Sequence, residues 1–119
     1  MAAPNIVNVT TINGKTAVQN VTTVATDIVT NSAASGKVFK INSLVISNID
    51  GTSAADITAS LYRSSVEYKV AHTISVPADA ALVVISKDTS IYLEEGDAIR
   101  LTASGNNDLH AVCSYEEIS

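Results

Sequence analysis

Branched side chains constrain this chain more than any other feature. It holds 26 Val plus Ile against 6 Leu, with 12 Thr besides. Such side chains are stiff at the first torsion, fit a pleated surface and are mildly unfavourable in helices. A helical protein shows the reverse ratio, rich in Leu, Glu, Lys and Arg. The bias predicts strands. The 119 residues leave room for one domain, close to the roughly 100 residues over which two-layer sandwiches run.

Turn residues punctuate the chain about every dozen residues. Asn5 to Ile12 alternates, and Asn13-Gly14 after it carries a short hairpin signal, because both residues tolerate positive φ. Lys15 to Thr30 has Val18, Val21, Val24, Ala25 and Ile28 at helical spacing, but its Val and Thr content favours a strand. Val38 to Ile49 is the most apolar strand. Phe39 and Ile41 share one parity and Leu44 and Ile46 the other, which predicts a bulge near Asn42-Ser43 or burial on both faces.

Ala55 to Tyr62 alternates cleanly. Tyr68, Val70, His72, Ile74 and Val76 are expected on one face until Pro77 ends the strand. Ala81–Ile85, Ile91–Leu93, Ala98–Ala103 and Leu109–Ile118 complete the set. The expectation is an all-β, antiparallel β-sandwich of about eight strands, jelly-roll or immunoglobulin-like, spanning residues 1–119.

Charge is scarce: 16% of residues are Asp, Glu, Lys or Arg, against about 25% in ordinary soluble domains. The net charge of −5 argues against a nucleic-acid partner, which needs a basic face to release counterions. Lys37, Lys40, Arg63, Lys69, Lys87 and Arg100 are scattered singly. A surface of Thr, Ser, Asn and Ala loses little on desolvation and suits contact with other proteins. No apolar run approaches the roughly 20 residues that cross a bilayer, so no membrane partner is expected. Met1-Ala-Ala-Pro-Asn5 has neither a basic region nor an apolar run, so no secretory signal is expected. With Cys113 alone there is no internal disulfide, and the fold is expected to form in a reducing cytoplasm.

Catalytic, cofactor and metal sites are not expected. The histidines are His72 and His110; His110 and Cys113, three apart on a strand, point to opposite faces. Zinc wants four ligands, and these residues are scattered over several strands. Glu94, Glu95 and Asp97, or Asn106, Asn107 and Asp108, offer oxygens to calcium. Both groups lie in turns, where such residues also serve the backbone. The glycines all fall at turn signals, with no phosphate-binding loop. Asn8-Val-Thr10 and Asn20-Val-Thr22 match glycosylation acceptors, which matter only in a secreted chain.

Three stretches carry a resemblance: KINSLVISNIDGTSAADITASLY (40–62), ISVPADAALVVISKDTSIYLEEGDAIRLTAS (74–104) and the closing VCSYEEIS (112–119). Together they resemble small virion structural proteins of tailed bacteriophages, particularly those of marine cyanophages. The shared motifs are structural: an apolar strand ending in Ser-Asn, a Val-Pro before a hairpin, and a Glu-Gly-Asp turn feeding the next strand. The resemblance implies a protein repeated over a virion and made in the host cytoplasm, with no catalytic residues to carry over. Its partners would be a major capsid protein or neck and tail proteins.

On this reading the chain is a head decoration or cement protein, a homo-oligomer for which a trimer would suit a capsid threefold site. A neck, tail or fibre component is the alternative, and a sugar- or ligand-binding sandwich, marked by an exposed aromatic platform, a second one. Residues 1–29 are either a docking arm, able to add a strand to a neighbour, or the first hairpin of the sandwich. The expected contact residues are Ile6, Val7, Val9, Ile12, Val18, Val21 and Val24, with Tyr62 and Tyr92 facing outward.

Overall fold

Strands form where the branched residues cluster. A computed structural model describes residues 4–119 and holds β1 (Ile12–Val21), β2 (Thr26–Thr30), β3 (Val38–Asn48), β4 (Ala55–Arg63), β5 (Val66–Val76), β6 (Ala81–Ile85), β7 (Ile91–Leu93), β8 (Ala98–Ala103) and β9 (Leu109–Ile118). One 3-10 turn, Lys87–Thr89, separates β6 from β7.

The strands lie in two antiparallel sheets. The first runs β1-β9-β3-β6, with β7 also on β3; the second runs β2-β8-β4-β5. β7 pairs with the first half of β3 (Phe39 to Ile41) and β6 with the second (Leu44 to Ser47). The pairs β1·β9, β2·β8, β3·β6 and β4·β5 are those of one long hairpin rolled across two sheets. This order selects the jelly roll from the two expected sandwiches. Its tip is the β4–β5 turn, where Ser64 and Ser65 both take positive φ (52° and 63°); paired positive φ matches the twist of the strands.

Between the sheets lie Ile41, Leu44 and Ile46 of β3, Ile57 of β4, Ile99 and Leu101 of β8, and Leu109 of β9, all fully buried. Burying a side chain of this size stabilises by about 1.5–3 kcal/mol. Phe39 packs on Tyr115 with ring centroids 5.4 Å apart. Two buried asparagines tie loops to this core. Asn31 Nδ2 donates to the carbonyls of Lys37 and Leu93, and Asn48 Nδ2 to those of Ser53 and Val76.

The bulge expected near Asn42 is present: Ile41 pairs with Tyr115 and Ser43 with Ser114, leaving Asn42 as the extra residue. That insertion lets Phe39, Ile41, Leu44 and Ile46 all face inward. Other expectations fail at the N-terminal end. Asn13-Gly14 is not a hairpin turn. Both residues lie inside β1, opposite Glu117 and Glu116 of β9, so ladder pairing overrides the local turn preference. Asn5 to Ile12 is not a strand either, since β1 begins only at Ile12. Within it Val7 N–H donates to Asn5 Oδ1 and Asn8 N–H to the Asn5 carbonyl. Lys15 to Thr30 breaks between Val21 and Thr26, and its two parts join different sheets.

The stretch 1–29 therefore divides. Its first three residues lie outside the described ones, residues 12–21 are paired with β9, and residues 26–29 with β8. No arm reaching a neighbour extends past Thr11. The single apolar face expected along β5 is also absent. Two extra residues in β5, near His72 and at Val70, shift its register on β4, so Ile74 and Tyr68 lie opposite Ile57 and Leu61 while the parity between them changes, and both stay exposed on this edge strand.

Candidate functional site

Antiparallel register places residues from distant parts of the chain side by side on one outer face. Across the first sheet Val18 of β1 lies opposite Val112 of β9. Val112 lies opposite Val45 of β3, and Val45 opposite Val83 of β6. Four valines thus form one row across the full width of the sheet, with Val18 74%, Val112 41% and Val83 58% exposed. Val45 is half-buried.

The flanking rows carry no carboxylate or ammonium group. On one side are Thr16, Ser114 and Ser43; on the other Asn20, His110, Ser47 and Ala81. A shallow depression of about 280 Å³ between β1 and β9 is lined by Val18, Asn20, His110 and Val112, among others. Charge returns only toward the far end, where Glu116, Lys40 and Tyr92 lie in one row.

The second sheet is built differently. The row Asp27–Arg100–Ser60–Lys69 crosses its outer face. Arg100 Nε donates to Asp27 Oδ1 at 2.8 Å, and the same guanidinium sits 3.5 Å above the centre of the Tyr62 ring. Its partners hold the Arg100 pKa above the ordinary value, the Asp27 hydrogen bond contributing most. One outer face is charged and internally paired; the other is apolar and hydroxyl-bearing. Only the latter can be covered by another protein without stranding ions away from water.

The expected contact residues scatter over this frame. Val18 and Ile12 stand exposed on the apolar face, and Tyr92 on its charged end. Ile6 and Val7 are exposed before β1, Val24 is exposed between β1 and β2, and Val9 is half-buried. One assignment is overturned. Val21 is fully buried because it ends β1 on the inner face, opposite Leu109. Tyr62 faces outward, but on the outer face of the second sheet, where Arg100 half-buries it. Val45, Val83 and Val112 were not among the expected contacts, since only the order of the strands brings them into line with Val18.

Residues weighed for chemistry stay apart. Cys113 is buried on the inner face of β9, where burial pushes its thiol pKa up to about 11. His110 stands on the opposite face, and His72 lies in the other sheet. The acids of the β7–β8 turn hold structure. Asp97 accepts from Arg63 Nε at 2.8 Å and from the Glu94 N–H at 2.8 Å. Glu94 accepts from Arg63 Nη2, and Glu95 from the Gly36 N–H. The guanidinium fills the position between the carboxylates that a cation would take. Among the described residues there is no cluster of three or more His, Cys, Asp or Glu arranged to hold a metal. No described helix is long and apolar enough to cross a membrane.

No protein-family model matches the chain, and no curated protein sequence does. It is similar in structure to a solved chain of Bacillus endospore appendages, described as a novel family of disulfide-linked pili. The identity is 14% and the TM-score 0.54, over 92% of this chain and 87% of that one. At this distance the likeness shows a shared β-sandwich fold.

Proposed function

We propose that this chain is a non-enzymatic structural subunit of a virion, most directly a head decoration or cement protein, that works by laying the outer face of its first sheet on neighbouring protein. The observation that carries this reading is the row Val18–Val112–Val45–Val83 flanked by uncharged residues. Monomeric proteins rarely expose contiguous apolar patches beyond roughly a few hundred Å², and broad apolar surface rimmed by polar residues marks a contact surface. Repeated over a particle, modest contacts add through effective concentration. The partners are a major capsid protein or neck and tail proteins, together with other copies of the chain. The separation of His72, His110 and Cys113 supports a role without turnover.

A neck, tail or fibre subunit is the second reading. It is favoured by the fold shared with an assembled appendage, and the same face would serve it. The linkage named for that appendage differs from what Cys113 can provide, since its thiol is buried between the sheets. A sugar-binding sandwich has less support. Tyr62 is occupied by Arg100, and the exposed Tyr68 and Tyr92 lie in different sheets.

Antibody labelling of particles from lysates of cells that express the gene tests the proposal. Label spread over the heads supports decoration, and label confined to the neck, tail or fibre supports the second reading. Particles that carry no label contradict both.

A further inference from the structure

Among the described residues the outward edge of β1 is the one long, unbulged sheet edge, and we infer that it pairs antiparallel with the β1 of a second copy, about a two-fold axis at Val18. An edge strand presents unpaired backbone N–H and C=O groups. Proteins blunt such edges with short strands, bulges, prolines and charges.

Three of the four edges here are blunted. β2 has five residues, an extra residue at Ile28 and the charge of Asp27. β5 has two extra residues, positive φ at Thr73, and the charges Glu67 and Lys69. The edge beyond β3 is broken into β6 and β7 with a 3-10 turn between them.

β1 is neither short nor bulged, and carries a single charge. Its ten residues pair with β9 without a single shift, and it contains no proline. No other backbone segment among the described residues pairs with its backbone; the neighbouring contact is a side-chain one, Gln19 Nε2 donating to the Asp27 carbonyl of β2. Its one charge, Lys15, is ion-paired at 2.9 Å with Glu117 of β9, a carboxylate it shares with Lys37, so the lysine is held toward its own sheet.

A second copy fits better than an unrelated strand. Each chain has one unprotected edge, and two chains joined by a two-fold axis use both and leave none. That is the closed arrangement most homo-oligomers adopt. Pairing centred on Val18 sets Val18 against its own counterpart and joins the two valine rows into one. It sets Thr16 against Asn20 and keeps the two Lys15 side chains far apart. The inference rests on the proposed assembly role and names one of its contacts.

Cross-linking tests it. Paired residues in an antiparallel ladder have Cα atoms about 4.5–5.5 Å apart, within the range a disulfide spans. Val18→Cys is expected to form a disulfide-linked dimer under mild oxidation, with native Cys113 remaining buried and unreacted. Val83→Cys, at the other end of the row, is expected to cross-link far more slowly. Val18→Lys, at an exposed position that should not affect folding, is expected to give folded monomers by light scattering.

A Val18→Cys protein that stays monomeric, or cross-links no faster than Val83→Cys, overturns the inference. So does a Val18→Lys protein whose dimer persists. Val112→Lys separates this contact from the broader role. If it abolishes association while Val18→Cys fails to cross-link, the apolar face still mediates assembly and the edge contact is wrong.

Discussion

Arg63 and Asp97 meet at one end of the second sheet, where β4 finishes beside the start of β8, with Nε of the guanidinium 2.8 Å from Oδ1 of a carboxylate that is almost wholly buried. Desolvation alone would raise the Asp97 pKa. Arg63 and the Glu94 N–H outweigh it and hold the carboxyl below its ordinary value. A depressed carboxylate stabilises fully above its unfolded pKa of about 4 and loses that contribution as pH falls through the folded value. Removing the fork by Arg63→Ala leaves a buried carboxylate with one donor and should cost about 2 kcal/mol near neutral pH. Thermal melts between neutral and acid pH check both points. Wild type should lose stability below about pH 4, and the gap to Arg63→Ala should shrink there.

Asn48 ties the end of β3 to the segments on either side of the β4–β5 pair. Its amide donates to Ser53 and Val76, and its Oδ1 accepts from the Asp50 N–H. Asn48→Ala should destabilise by about 2–3 kcal/mol, because buried carbonyls lose their donor. Asn48→Asp should cost more, since its carboxylate would face two carbonyl oxygens. Urea denaturation midpoints give the comparison, and an Asn48→Asp protein as stable as wild type would contradict this role.

Cys113 should be silent in the native protein. Its thiol is enclosed by the core and carries a pKa of about 11, so at about pH 8 almost none is thiolate. A thiol reagent should label it only as fast as the chain opens, and denaturant should expose one reactive group. Rapid native labelling would place Cys113 elsewhere.

Gly14 gives a sharp reading of the β1 register. Its φ is not positive, and a Cβ built on it meets nothing within 4 Å. Gly14→Ala should therefore raise stability by about 0.5 kcal/mol, by reducing the freedom of the unfolded chain. At the second position of a type I′ turn the same change would be destabilising. A denaturation curve decides between these.

Much of the strand layout was legible because it is local. Pro77 ends β5 where expected, the parity switch around Asn42 marked a real bulge, and the bounds of β6, β7, β8 and β9 follow from their turns. The N-terminal region was misread because Asn13-Gly14 carries a turn preference that β9 overrides. The β5 bulges have no signature in an alternating run from Tyr68 to Val76. The docking face was hidden for a different reason. Val18, Val45, Val83 and Val112 look unremarkable one by one, and only the rolled topology sets β1 beside β9 and β6 beside β3.

The assembly role turns on whether the valine row is buried against protein. Removing residues 1–29 cannot test it, because that deletes all of β1 and most of β2. Val112→Lys can, since Val112 lies mid-row and is 41% exposed. The decisive measurement is the solution mass by light scattering, for wild type and Val112→Lys over the same concentrations, with a melting curve to confirm folding. Wild-type oligomers and equally stable Val112→Lys monomers are the expected result. A wild type that stays monomeric throughout, or a variant that associates as well as wild type, would contradict self-association through this face.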